Sequence, residues 1–344
     1  MTKYTFMINT ARLDLSSIPS NTNELFFDRD FNQTIKVGEL PMFLKKLTLP
    51  QRFNSEIELG AIPEGLEEIY FGCDFNLPIV PGLLPKSLKR IYLSNHFCQN
   101  LEFGSVPEGT EEIDFGCSFN HPILPGLLPK SIIKIKLSHN FNQELEIGSI
   151  PEGTEEIDFA YAFNHPIVPG LLPESIKKIN LSYNFNQQLD IGSIPDGIEE
   201  IDFGHAFNHP IVPGLLPKSA KILILSDMFN NQLEAGSIPD GLKEIEINGK
   251  YTGTFENIPK TAKITSQYHI PDIKYTLMYI GAYLNYYKSE IGDNYKFGDV
   301  YSYRSYSAVD VEPIKRTIKV DYKILESIEK TISALRQEFD RLKQ

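Results

Sequence analysis

The stretch FNHPIVPGLLPESI, Phe163 to Ile176, decides the fold. Pro166, Pro169, Gly170 and Pro173 exclude a helix interior or a central strand from it. Yet nearly the same words return at Phe119 (FNHPILPGLLPKSI) and at Phe207 (FNHPIVPGLLPKSA). A proline-rich phrase repeated at a fixed interval marks the corner of a coil.

The interval is found by counting phenylalanines. Phe stands at 31, 53, 75, 97, 119, 141, 163, 185, 207 and 229, always 22 residues apart. Asn follows each except Phe97, where Cys98 takes its place. Glycine comes seven residues after each Phe, from Gly38 to Gly236, and proline ten after, from Pro41 to Pro239. Each unit ends in a short alternating run such as Ile113-Asp114-Phe115 or Ile179-Asn180-Leu181. Such a run suits a half-buried strand. From Leu25-Phe26-Phe27 onward there are eleven such runs. A unit this small cannot bury its own apolar side, whereas stacked neighbours can. The expected fold is therefore a mainly β solenoid of about eleven 22-residue rungs over residues 23–250.

A 44-residue period lies over the shorter one. The residues leading into the strands run Lys46, Glu68, Arg90, Glu112, Lys134, Glu156, Lys178, Glu200, changing sign at every rung. In a parallel stack each charge sits beside its opposite, and a slip by one unit sets like against like. The alternation reads as a device that specifies register.

The Leu88-x-x-Ile91-x-Leu93 and Ile176-x-x-Ile179-x-Leu181 segments resemble the strand of a leucine-rich repeat. Together with the Phe-Asn start, the aliphatic residue four later and the Ile/Leu-Pro that follows, they resemble the FNIP repeat. That family is known from slime moulds and from large DNA viruses of amoebae. The resemblance implies a leucine-rich-repeat-like solenoid that binds proteins; a cytoplasmic location, the host's if the source is viral, is the expectation from the cysteine usage. Some relatives carry an F-box and act as adaptors in ubiquitin ligation. The roughly twenty residues ahead of the first rung are too few for one, so none is expected here.

Few residues invite a chemical reading. His121, His165 and His209 share one lattice position, two rungs apart, and about 10 Å is too far for a shared ion. Hydrogen bonding to corner backbone is expected of them. The Phe and Asn columns are read as structural. Asp114, Asp158 and Asp202 have no nucleophile or oxyanion hole beside them and are read as solvated charge. No catalytic, metal or cofactor residue is predicted, and no enzyme. The outward column Phe26, Tyr70, Tyr92, Asp114, Lys136, Asp158, Asn180, Asp202 is instead the candidate partner-binding face, with its aromatic end as anchor. Ile224 interrupts that column and is read as the start of a cap.

The ends differ from the middle. Residues 1–22 are expected to cap the solenoid, with a degenerate rung around LDLSSIP. FENIP at 255–259 is a worn echo of the repeat, within a second cap over 251–320 that is rich in tyrosine. In residues 321–344, Leu325, Ile328, Ile332, Leu335, Phe339 and Leu342 follow the a/d pattern of a coiled coil. This helix is a candidate homodimer seam; docking on its own chain is the alternative.

Net charge is −12 over 344 residues, which argues against nucleic acid or an anionic membrane as partner. Three cysteines without metal-type spacing suit a reducing compartment. The functional expectation is a non-enzymatic protein-interaction scaffold. A ubiquitin-ligase substrate adaptor and a self-assembling structural protein, for instance of a virion, are the alternatives.

Overall fold

The computed structural model describes residues 5–8, 18–27, 31–247, 251, 253–254 and 256–265. Thirteen short strands lie in one parallel sheet, in chain order. They are β1 (Thr5–Ile8), β2 (Glu24–Phe27), β3 (Lys46–Thr48), β4 (Glu68–Tyr70), β5 (Arg90–Tyr92), β6 (Glu112–Asp114) and β7 (Lys134–Lys136). They continue as β8 (Glu156–Asp158), β9 (Lys178–Asn180), β10 (Glu200–Asp202), β11 (Ile222–Leu225), β12 (Glu244–Ile247) and β13 (Lys263–Thr265). The middle eleven are the expected runs, stacked as a solenoid. At about 4.8 Å per strand the sheet is roughly 58 Å long. Registers are strict: Ile113 faces Ile135, and Ile135 faces Ile157. Each of the three-residue strands β3 to β10 buries its central side chain and turns its flanking two outward.

The sheet passes both ends of the 23–250 span. β1 pairs with β2, and β13 pairs with β12. These end rungs are shorter, since Thr5 pairs with Glu24 and Glu244 with Lys263, 19 residues apart in each case. The worn FENIP echo thus ends in a real strand. Ile224 is not the start of a cap: it pairs with Glu246, and β13 follows beyond. The tyrosine-rich segment and the heptad-patterned segment lie outside the described residues.

The repeated words now have structural reasons. At the first corner the chain makes an i→i+3 turn, as in Leu171 N–H to Val168 C=O at 3.1 Å. Pro169 occupies the second position and Gly170 the third, with φ +83°. Positive φ at the third position with Pro at the second is the type II pattern. A second turn opens at the later proline, as in Ile176 N–H to Pro173 C=O at 3.2 Å.

Two columns run the length of the coil. The Phe rings stack at 6.0–6.5 Å between centroids, from Phe31 to Phe229. Each is essentially fully buried. Asn side chains form a ladder: Asn164 N–H donates to Asn142 Oδ1, and Asn186 N–H to Asn164 Oδ1, both at 2.9 Å. A carboxamide at that site gives the corner backbone a partner that no neighbouring strand supplies. Cys98 breaks this ladder. Its own N–H still donates to Asn76 Oδ1 at 2.9 Å, but its thiol cannot take the carboxamide's place for Asn120.

The 44-residue period also has a packing cause. Buried Ser94, Ser138, Ser182 and Ser226 donate their hydroxyls to the carbonyls of Phe75, Phe119, Phe163 and Phe207. On intervening rungs the same place holds Gly116, Ala160 and Gly204. A Cβ on Gly204 would run into the Ser182 carbonyl oxygen and stand 2.8 Å from that of Leu181. The backbone carbonyl of one rung therefore leaves little room for a side chain on the next, and Gly72 meets the Pro50 carbonyl in the same way.

Candidate functional site

The strand face presents two outward columns. The first carries the alternating charges, and they pair as the register requires. Lys134 reaches Glu156 at 3.3 Å, and Lys178 reaches Glu200 at 2.6 Å. A parallel column one residue earlier repeats the device, with Lys45–Glu67 at 2.8 Å and Lys221–Glu199 at 2.6 Å. These pairs are well exposed, and each contributes only about 0.2–1 kcal/mol.

The second column is the predicted partner-binding face, and the structure sets its members side by side. Phe26 faces Thr48, Thr48 faces Tyr70, and Tyr70 faces Tyr92. Asp114, Lys136, Asp158, Asn180 and Asp202 follow in register. The Tyr70 and Tyr92 rings stack on each other at 4.2 Å. Lys46 Nζ lies 4.5 Å over the Tyr70 ring, and the Tyr70 hydroxyl donates to Glu68. Burial pushes the Tyr70 hydroxyl well above its usual range, helped by the Glu68 carboxylate. Burial alone would raise Glu68, but the Tyr70 hydroxyl, Lys46 and Arg90 outweigh it and hold the carboxyl low. These tyrosines are half-buried and already partnered, which lessens their value as a bare anchor.

The aspartates differ from the solvated charges expected. Asp114, Asp158 and Asp202 accept from the N–H two residues on: Gly116 at 2.9 Å, Ala160 at 2.8 Å and Gly204 at 2.8 Å. Each closes the turn that leaves its strand. Asp114 also pairs with Lys136 at 3.0 Å. Burial raises the Asp202 carboxyl above the usual range, with Asp158 and Glu200 adding to the effect against the Gly204 N–H and Lys178.

Sequence reasoning missed the adjoining column, at the corner just after the strands. It reads Cys73, Asn95, Cys117, His139, Tyr161, Tyr183, His205, Asp227. Four of these stack as rings: His139–Tyr161 at 4.3 Å, Tyr161–Tyr183 at 4.7 Å and Tyr183–His205 at 4.1 Å. Asp227 ends the ladder, its Oδ2 2.6 Å from His205 Nδ1. The 22-residue grid contained this signal, because the four rings share one column. Between ladder and strands lies an open groove of about 320 Å³, lined by Asp158, Asn180, Tyr183, Asp202, His205 and Asp227 among others. Carboxylates beside the exposed ring edges suit a cationic group with a fork of donors, such as a guanidinium.

The corner histidines follow expectation. His121, His165 and His209 place Nε2 against the carbonyls of Cys98, Asn142 and Asn186, at 2.6, 3.1 and 3.0 Å. Among the described residues no group of three or more His, Cys, Asp or Glu side chains could hold a metal ion. No helix there is long and apolar enough to cross a membrane.

Comparison with known proteins fits this geometry. The FNIP Repeat family model matches five times, over residues 31–74, 75–118, 119–161, 163–205 and 207–250. Each match opens on the Phe of alternate rungs, so the family unit is the 44-residue pair. Among solved structures the chain is similar to CroV588, described as a novel circular LRR protein structure. Identity is 29% and the TM-score 0.71, over 74% of this chain but 38% of that one. The chain therefore spans well under half of that neighbour's length. No curated protein matches in sequence.

Proposed function

Because this chain belongs to the FNIP-repeat family, whose leucine-rich-repeat-like solenoids commonly mediate protein–protein contacts, we propose that it is a non-enzymatic scaffold that binds a protein through its strand face. The observation that carries this is the stacked ladder from His139 to His205 beside the groove with Asp158, Asp202 and Asp227. Core packing does not need these rings, since Tyr161 and Tyr183 are exposed. The chemistry fits a basic segment whose arginines pair with the acids and lie against the ring edges.

A peptide of alternating glycine and arginine, with its lysine counterpart, tests the reading by fluorescence anisotropy. A protein of charge −12 attracts any polycation, so the comparison uses Tyr161→Ser/Tyr183→Ser, which leaves the charge unchanged. We expect arginine to bind more tightly than lysine, and the double substitution to cost at least fivefold with arginine. Equal affinity with and without the two rings would exclude the ladder. Capture of ubiquitin-ligase subunits by the same face would favour the adaptor role.

A further inference from the structure

About halfway round each rung from the strands, a second surface runs along the coil. Leu59, Phe103, Ile147 and Ile191 are 63%, 61%, 66% and 65% exposed, and they stand two rungs apart. On intervening rungs the same place holds proline, preceded by Val80, Leu124 or Val168, each 44–46% exposed. The members touch the next rung. A methyl group on Gly82 would lie 3.8 Å from Leu59 Cδ1, one on Gly104 3.5 Å from Pro81 Cβ, and one on Gly126 3.9 Å from Phe103 Cε1. The result is a continuous apolar ridge, which an isolated coil has no structural reason to leave in water.

We propose that residues 321–344 of this chain lie along the ridge as a helix, their Leu325-to-Leu342 stripe facing it. The periods agree. Two rungs advance about 9.6 Å, and one heptad of helix about 10.5 Å. Leu59 to Ile191 spans three such double rungs, roughly 29 Å. Leu325 to Leu342 spans roughly 26 Å of helix. The charges agree as well. Glu58, Glu102, Glu146 and Asp190 each precede a bulky ridge residue. On one flank of the apolar stripe Glu329, Arg336 and Lys343 follow at heptad spacing, so the last two can meet the acids of the ridge. A second copy's ridge would bring its own row of acids into contact with this one, so self-pairing through the face is disfavoured. Residues 266–320 can reach any point on the sheet, at up to about 3.3 Å per residue. Three heptads are marginal as a free helix, and a preformed ridge supplies the missing packing.

Limited trypsin digestion of the full chain, read by mass spectrometry, tests this at Lys323, Lys330, Arg336 and Arg341. The native chain should resist cleavage there. A Phe103→Asp/Ile147→Asp variant should be cut at least tenfold faster, and Leu335→Asp equally so. Both ridge positions are exposed, so the coil itself stays folded, checked by unchanged cutting within residues 31–247. Rapid cleavage in the native chain would overturn the proposal. So would protection that survives the ridge substitutions, or protection that disappears on dilution along with a dimer seen by sedimentation.

Discussion

The serine–glycine alternation makes a prediction with opposite signs at two equivalent sites. Ala160 holds φ +55°, while Gly116 and Gly204 in the same column have φ +67° and +69°. Left-handed backbone costs an L-residue about 1–2 kcal/mol. Glycine gives back about 0.5–1 kcal/mol through its greater freedom in the unfolded chain. Ala160→Gly should therefore stabilise the coil by about 0.5–1 kcal/mol, with its Asp158 bond kept. Gly204→Ala reverses the sign and adds a collision. The new methyl would meet the Ser182 carbonyl, so the turn must shift as it has at Ala160. We expect a loss of about 2 kcal/mol, the left-handed term with the collision added. A long repeat array need not unfold in one step. The assay is therefore native-state hydrogen exchange at Tyr183 and Ala206, whose N–H groups bond to the Ala160 and Tyr183 carbonyls at 3.0 and 2.9 Å. Ala160→Gly should slow exchange at Tyr183, and Gly204→Ala should speed it at Ala206. If Ala160→Gly speeds exchange, or if Gly204→Ala changes nothing, the alternation has another cause.

Three further outcomes follow from single columns. Cys98→Asn supplies the missing acceptor for Asn120 N–H and should add about 1 kcal/mol, read as slower exchange of that amide. Thr154 is fully buried with its hydroxyl unpaired, in a column shared with Ile132 and Ile176. Thr154→Val removes that group without a change of shape and should raise stability by about 1 kcal/mol, seen as a higher melting temperature. Asp202 has a raised carboxyl, so its ionisation opposes folding above that raised value. Asp202→Asn should be more stable than the native chain at neutral pH. The gap should close as pH falls through the raised value towards 3.8, the ordinary one. A gap independent of pH in melts would show that the carboxyl is not perturbed.

Much of this architecture was legible because one spacing recurs without insertion. Phe, Gly and Pro recur on a fixed count, so the rung, its corners and its core could be read before any coordinates. The charge alternation was legible for the same reason, since strand register turns sequence spacing into neighbours. The end rungs were harder to see, because β1 and β13 sit 19 residues from their neighbours and break the count. Asp114, Asp158 and Asp202 looked solvated because their partners are backbone N–H groups, which carry no sequence signal beyond the glycine or alanine two residues on. The His139-to-His205 ladder lay on the grid unread. Histidine and tyrosine differ as letters, and only their common column shows them as one stack of rings. The exposed ridge was hidden in the same way, divided between prolines and aliphatic residues on alternate rungs.

The most direct test of the scaffold account is affinity capture from the source cells with three full-length baits. One is the native chain, one carries Tyr161→Ser/Tyr183→Ser, and one carries Phe103→Asp/Ile147→Asp. The account predicts a protein partner that the native and ridge-substituted chains retain and that the ring-ladder variant loses. A partner held equally by the ring-ladder variant would contradict it, as would a native chain that captures only itself.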